Sequence, residues 1–308
     1  MPNWIQKKVA VLYGGRSSER EVSLRTGKAC ADALASKGYD VTLLDVGLDL
    51  PERLRAARID VAFNALHGRW GEDGCVQGLL EAMAIPYTGS GVLASALGMD
   101  KVFAKAMFGA LGLALIDYRV FPQARASEIG PSDLPFGIPC VVKPAGEGSS
   151  VGVHLVKDPA KLRAACLDAA TFKGDVIVER YLKGVEVNVA VLDGKALGAI
   201  EIEPANEFYD YAAKYTAGTT KYHYPARIPE AHRHRVTEAA VRAHVGLGCS
   251  GVSRVDFIVA PDGTPFILEV NTLPGMTATS LVPKIAAGTG IPFPELCERI
   301  LEGAALKA

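Results

Sequence analysis

The chain has 308 residues, 49% of them hydrophobic and 22% charged, with a formal net charge of −1. That size and balance suit two or three compact units, and the near-neutral charge gives no reason to expect nucleic acid or an anionic membrane as partner. Six scattered cysteines (Cys30, Cys75, Cys140, Cys166, Cys249, Cys297) contain no C-x-x-C pair and read as reduced, mostly buried side chains in a reducing compartment. The apolar run at residues 9–13 is too short for a secretion signal. The uncharged stretch 82–99 is interrupted by Pro86, Gly89, Gly91 and Gly98, so it is a poor membrane span. The expectation is a soluble, cytoplasmic protein.

From residue 8 to about 98, short apolar strands alternate with helical segments. Strand-like 9–13 leads to a helix near 23–37, stopped by Gly38, then to strand-like 41–46, a short helix from Pro51 and strand-like 61–66. This alternation predicts an open parallel sheet flanked by helices. A helix over 100–111 follows, then strand-like 118–121, 140–143, 151–156 and 176–179, with a helix near 159–171. Asp193-Gly194 can turn a hairpin joining 185–192 to 196–203. Residues 205–224 lose periodicity but hold Tyr209, Tyr211, Tyr215 and Tyr222, the pattern of a functional loop rather than plain disorder. A helix over 229–247, a second hairpin pairing 252–259 with 265–271, and helices near 280–287 and 294–305 complete the chain. His232, His234 and His244 lack the i, i+4 spacing of a metal pair and read as a mostly solvated helix face.

The most informative stretch is Arg254-Val-Asp256 followed by Glu269-Val-Asn271. Alternate residues of a strand share a face. If Asp262-Gly263 form a two-residue turn, Asp256 lies opposite Glu269 and Arg254 opposite Asn271, all on one face. Opposed carboxylates repel by roughly 0.2–1 kcal/mol, and a hard cation between them removes the repulsion. Oxygen-only ligands favour Mg²⁺ or Mn²⁺ over zinc. The competing reading is an exposed polar sheet face carrying an Arg–Asp pair, and a one-residue slip would separate the carboxylates.

Lys143-Pro-Ala-Gly-Glu-Gly148-Ser149-Ser150-Val-Gly152 lies between two strand-like runs. Its glycines let backbone N–H groups converge on phosphate oxygens, with serine hydroxyls as further donors and Lys143 as the charge. A flexible hairpin turn is the alternative. A strand rather than a helix follows, which disfavours dinucleotide-binding and Walker-type loops. The early string Gly14-Gly-Arg-Ser-Ser-Glu19 opens a helix, a place suited either to an anion or to a plain capping turn. His67-Gly-Arg-Trp-Gly-Glu72-Asp73-Gly74 follows a strand, where an open α/β sheet presents its binding loops.

Together the strings GGRSSEREVS (14–23), ALHGRWGEDG (65–74), PYTGSG (86–91), MDK (99–101), KPAGEGSSVG (143–152), EFYDYAAKY (207–215), SRVDF (253–257), LEVNTLPGMT (268–277) and SLVP (280–283) resemble the D-alanine–D-alanine ligase family of the ATP-grasp superfamily. They span nearly the whole chain in the family's order. The resemblance implies an α/β protein of ATP-grasp fold. An N-terminal open parallel α/β domain (1–98) would hold substrate. A central subdomain (99–186) with the glycine-rich loop and a C-terminal domain (187–308), both α+β, would sandwich ATP. Lys101 and Lys143 would bind ATP phosphates beside Gly148, Ser149 and Ser150. Glu179, Tyr181 and Leu182 would line the adenine site, although position 181 is often Trp in the family. Glu186 would meet the ribose, and Lys214 would reach the γ-phosphate from loop 205–224. Asp256, Glu269 and Asn271 would hold two Mg²⁺, or Mn²⁺, with Asn271 also serving ATP.

The activity so implied joins two D-alanines through an acyl phosphate, supplying a dipeptide to peptidoglycan synthesis. Glu19 would bind the first D-alanine's ammonium, with His67 near its carboxylate, and Ser280 and Leu281 would bind the second. Ser149, Tyr215 and Glu19 would form one hydrogen-bonded set, and Arg254 with the N–H of Gly275 an oxyanion site. A homodimer is also implied. Two alternatives stand beside this: D-lactate as acceptor, which Tyr215 in YAAKY disfavours, and a non-catalytic nucleotide binder, which the full set of charged residues disfavours. A nicotinamide-dependent dehydrogenase lacks its glycine spacing at Gly14-Gly15.

Overall fold

The computed structural model describes residues 4–148, 151–172, 174–204 and 220–307. The predicted alternation at the start forms β1 (Lys8–Tyr13), α1 (Arg20–Ser36), β2 (Asp40–Asp45), α2 (Leu50–Ala57) and β3 (Val61–Asn64). The strands make a parallel sheet ordered β2-β1-β3. Val9, Ala10, Val11 and Leu12 are all buried, because helices cover both faces of the sheet. Helices α3 (Cys75–Ala82) and α4 (Val92–Met99) occupy a stretch the sequence leaves unassigned. Between them Tyr87 bridges in parallel to Ala62 and antiparallel to Ala305, so a C-terminal segment closes against the first sheet.

Helix α5 (Lys101–Ala110) starts where Asp100 accepts hydrogen bonds from the N–H groups of Val102 and Phe103. The second sheet contains β4 (Tyr118–Phe121), β5 (Cys140–Pro144), β6 (His154–Val156) and β7 (Val176–Arg180), ordered β4-β7-β5-β6 and antiparallel. The helix expected near 159–171 is a 3₁₀ turn at Pro159–Lys161 followed by α6 (Leu162–Ala169).

The third sheet is also antiparallel. It comprises β8 (Val185–Leu192), β9 (Lys195–Pro204), β10 (Thr220–His223), β11 (Val252–Val259) and β12 (Pro265–Asn271), ordered β10-β9-β8-β11-β12. Strand β10 corrects the expectation that 205–224 lacks regular structure: its last residues pair with β9. On one face Val187, Val189, Val255 and Phe257 pack against Val236, Ala240 and Ala243 of α7 (Glu230–Gly246). The opposite face carries Asn188, Ala190, Arg254 and Asp256 in alternation. There Ala190, Ile200 and Ile202 share a core with α8 (Leu281–Gly288), α9 (Phe293–Glu302) and residues of the first sheet. The candidate site therefore lies on the sheet face turned away from α7.

His244 corrects the solvated reading of the histidines. It is buried against the sheet and its Nδ1 lies 2.7 Å from Ser253 Oγ. Burial lowers its pKa to about 4.

Candidate active site

Strands β11 and β12 pair Asp256 with Glu269, Val255 with Val270 and Arg254 with Asn271, as the residue pattern predicts. The turn assumed for that register is not the one found. Gly263 N donates to Ala260 O and Ala260 N to Thr264 O, which encloses three residues rather than two. The outer half of the hairpin is thus one residue out of step, with Phe257 opposite Ile267. A β-bulge at Leu268 restores the pairing before Glu269.

On the face of this ladder turned away from α7, Arg254 grips Asp256 with two prongs: Nε to Oδ1 at 2.7 Å and Nη2 to Oδ2 at 2.8 Å. Asn271 Nδ2 donates to Asp256 Oδ2 at 3.2 Å, and Asn188 on β8 donates to Oδ1. Glu269 Oε2 lies 3.4 Å from Lys101 Nζ. Each opposed carboxylate therefore leans on a protein cation. The donors Asp256, Glu269 and the amide Asn271 are all oxygen-bearing, on one face, with positive groups already drawn to them. That set fits a hard divalent ion.

Lys101 also donates to the carbonyl of Glu147 at 2.5 Å, tying the glycine-rich loop to the carboxylate hairpin. Beneath the loop, Lys143 Nζ lies 2.7 Å from Glu179 Oε2, and Lys105 Nζ 2.6 Å from Oε1. All three are buried. Burial by itself would raise the Glu179 carboxyl, but Lys143 and Lys105 outweigh it and hold the pKa at about 2. Burial lowers that of Lys105, against the pull of Glu179 and with a push from Lys143. Tyr181 and Leu182 follow in the connector from β7 to β8, where Tyr181 N donates to Pro139 O. Glu186 stands near the start of β8 opposite Ile258.

The loop after β1 runs through Gly14 (φ +70°) and Gly15 (φ +78°), a left-handed conformation glycine accepts without strain. Ser17 Oγ donates to His67 O at 2.6 Å and accepts from Glu19 N at 3.2 Å, joining the two early motifs. Glu19 faces the glycine-rich loop: a Cβ built on Gly148 would lie 3.5 Å from Glu19 Oε2, and one on Gly68 only 2.7 Å. His67 is buried, with Nε2 2.9 Å from Thr26 Oγ1 and Nδ1 3.3 Å from Glu72 Oε1. Both ring nitrogens are thus engaged by the protein. Gly275 and Ser280 are adjacent, since a Cβ on Gly275 would lie 2.9 Å from Ser280 Oγ. Ser280 precedes α8, whose first residue is Leu281.

The structure therefore brings Glu19, Gly148, Lys101, Glu269, Asp256 and Arg254 into one chain of contacts through the glycine-rich loop. Ser149, Ser150, Lys214 and Tyr215 lie outside the described residues. Two residues escape the sequence reading. Lys105 carries a usable signal, as it sits four residues after Lys101 on the same helix face. Asn188 does not, because its place beside Asp256 depends on β8 pairing with β11. A second acidic cluster, Glu201, Glu203 and His223, is neutralised by Arg227, whose Nη2 reaches both carboxylates at 2.7 and 2.6 Å.

Three sheets, with a lysine-bearing glycine-rich loop set against a carboxylate hairpin, define a protein of the ATP-grasp class. Family models described as D-ala D-ala ligase N-terminus and C-terminus match residues 49–90 and 107–302. A D-alanine--D-alanine ligase of Anaeromyxobacter sp. (strain Fw109-5) is 79% identical over 308 residues, 100% of both chains. The crystal structure of the D-alanine--D-alanine ligase from Bacillus anthracis superposes with TM-score 0.86 at 38% identity, covering 96% of this chain and 97% of that one. Its complex with ATP gives 0.84 at 36% identity, covering 96% of each. The chain belongs to the D-alanine–D-alanine ligase family.

Proposed function

We propose that this chain joins two D-alanine molecules, using ATP and releasing ADP and phosphate. What carries this reading is the continuity of the site. Glu19, a carboxylate suited to an ammonium, faces the same glycine-rich loop that Lys101 ties to Glu269. Residues 1–98 would hold the first substrate, and ATP would lie between the units 99–186 and 187–308.

The first D-alanine's carboxylate oxygen attacks the γ-phosphorus, the β–γ bridging P–O bond breaks and ADP leaves. The amine of the second D-alanine, having lost its proton, then attacks the acyl carbon, and the C–O bond to phosphate breaks. Lys101, Lys143 and Lys214 hold the phosphates, since phosphoryl transfer depends mainly on positioning and charge neutralisation. Asp256, Glu269 and Asn271 would hold two Mg²⁺ or Mn²⁺ ions, which supply charge neutralisation at the transferring phosphoryl group. Glu179, Tyr181 and Leu182 line the adenine, and Glu186 meets the ribose. Arg254 and the N–H of Gly275 face the oxyanion of the second step. Ser280 and Leu281 receive the second D-alanine at the start of α8, where unpaired N–H groups favour a carboxylate. His67, its ring held by Thr26 and Glu72, lies near the first D-alanine's carboxylate. Ser149 and Tyr215 link Glu19 to the loop and to 205–224.

A cytoplasmic homodimer feeding peptidoglycan synthesis completes the reading; among the described residues no helix is long and apolar enough to cross a membrane. The test is ATP-dependent product formation with D-alanine, L-alanine and D-lactate in parallel. D-alanine alone should give ADP and dipeptide. A preference for D-lactate as acceptor overturns the substrate, and ATP binding without any turnover overturns the enzyme.

A further inference from the structure

Among the described residues, Lys105 is the one lysine under the glycine-rich loop that is fully buried from a ligand. Its side chain is 0% exposed, against 12% for Lys101 and 9% for Lys143. It projects from α5 onto Glu179, while Lys143 approaches the same carboxylate from β5. The approach of Lys105 is a close ion pair rather than an aligned hydrogen bond, since neither Lys105 Nζ nor Glu179 Oε1 has a well-directed partner. Lys101 on the same helix and Tyr118 of β4, whose ring centroid is 5.1 Å from Lys105 Nζ, complete the charged and titratable surroundings. Glu179 is the one carboxylate paired with Lys105 among the described residues.

Two lysines on one buried carboxylate are more than the fold needs for neutrality. If Lys143 turns to a nucleotide's phosphates, Glu179 loses half of its compensation in a place where an unpaired charge is very unfavourable. The oxygen that Lys143 leaves, Oε2, is then free to accept a hydrogen bond. Adenine's exocyclic amine is the only N–H donor on that base, and an ionised carboxylate is a pure acceptor.

We propose that Lys105 is the resident counter-ion of Glu179, a positioning residue that keeps the carboxylate ionised for the adenine amine while Lys143 serves the phosphates. The proposal rests on the reading above that Lys143 and Glu179 hold ATP. Lys105 touches neither ligand nor reacting atoms; it acts through Glu179.

The experiment measures calorimetric affinities for ATP and for purine riboside triphosphate, which lacks the amine, in excess Mg²⁺ from pH 6 to 8.5. Phosphate titration is common to both ligands and cancels in their ratio. The wild-type chain should prefer ATP by a factor on the order of ten or more, with no pH dependence. In Lys105→Met the preference should shrink at pH 6 and return as pH rises, because an uncompensated buried Glu179 titrates upward. Should that variant fold poorly, the double variant K105M/E179Q removes both buried charges, and its preference should be small and flat. An unchanged ratio in either variant overturns the proposal, as does an equal, pH-independent loss for both nucleotides in K105M. Lys143→Ala separates the two readings. Equal weakening of both nucleotides there upholds the phosphate role, so a flat K105M ratio would then count against Lys105 alone. No change in K143A would overturn the nucleotide site and this inference with it.

Discussion

Asp256 and Glu269 stand directly opposite each other on β11 and β12, and each is held by a cation from the protein, Arg254 on the first and Lys101 on the second. Removing Glu269 takes away a like-charge pairing that destabilises the sheet by roughly 0.2–1 kcal/mol. Glu269→Ala should therefore leave metal-free stability within about 1 kcal/mol of wild type. The same variant should lose Mn²⁺ binding and at least about a hundredfold in turnover, through lost charge neutralisation. Denaturant melts, Mn²⁺ titration by spin resonance and ADP release check the three parts. Near-normal turnover across Mg²⁺ concentrations would remove Glu269 from the metal site.

How much of this was legible in sequence differs by element. The sharing of a face within each strand was, since alternation puts Arg254 with Asp256 and Glu269 with Asn271, whereas the opposition of Asp256 and Glu269 followed only from an assumed turn. The mechanism of the register was not. Asp262-Gly263 reads as a two-residue turn, and nothing in Leu268 announces the bulge that compensates for the longer one found. The local motif placed Lys143 at the glycine-rich loop, and the family resemblance added Lys101 and Glu19 to it. Asn188 and the burial of His244 depend on which strand or helix lies alongside, a non-local fact that periodicity does not carry.

Arg254 holds Asp256 through two parallel hydrogen bonds, a geometry that a lysine cannot copy. Arg254→Lys preserves the charge and discards the fork. If Arg254 also meets the oxyanion of the second step, kcat should fall by about 10²–10³. The KM for ATP should move far less, because Arg254 is not among the residues assigned to the nucleotide. Steady-state kinetics with each substrate varied in turn decides this. A selective rise in KM for ATP at unchanged kcat would assign Arg254 to the nucleotide instead.

Gly27 lies inside α1, where glycine costs roughly 0.5–1 kcal/mol relative to alanine. Helix propensity alone therefore predicts that Gly27→Ala stabilises. Packing predicts the opposite: a Cβ at this position would lie 2.2 Å from Tyr13 Cβ on β1. A Cβ cannot rotate out of the way, so α1 must lift from the sheet, an overpacking that typically costs about 1–3 kcal/mol. The net effect should be destabilising, read as a lower denaturant midpoint at unchanged slope. A stabilised variant would mean that α1 shifts freely over β1.

His244 makes stability depend on pH in a defined window. Its pKa is lowered from 6.5 to about 4 because burial disfavours the imidazolium. The unfolded chain therefore takes up a proton near pH 6.5 that the folded chain resists until about pH 4. The sign follows: stability from this group is fully present above pH 6.5 and is lost as pH falls towards 4, by roughly 3 kcal/mol in total. Replacing the ring with a neutral amide, His244→Gln, removes that titration while leaving a group able to bond Ser253. Unfolding free energies at half-unit steps from pH 7.5 to 4.5 should then fall less steeply in the variant, by up to one proton's worth of slope. Parallel curves for the two proteins would show that His244 takes up its proton in the folded state as readily as in the unfolded one.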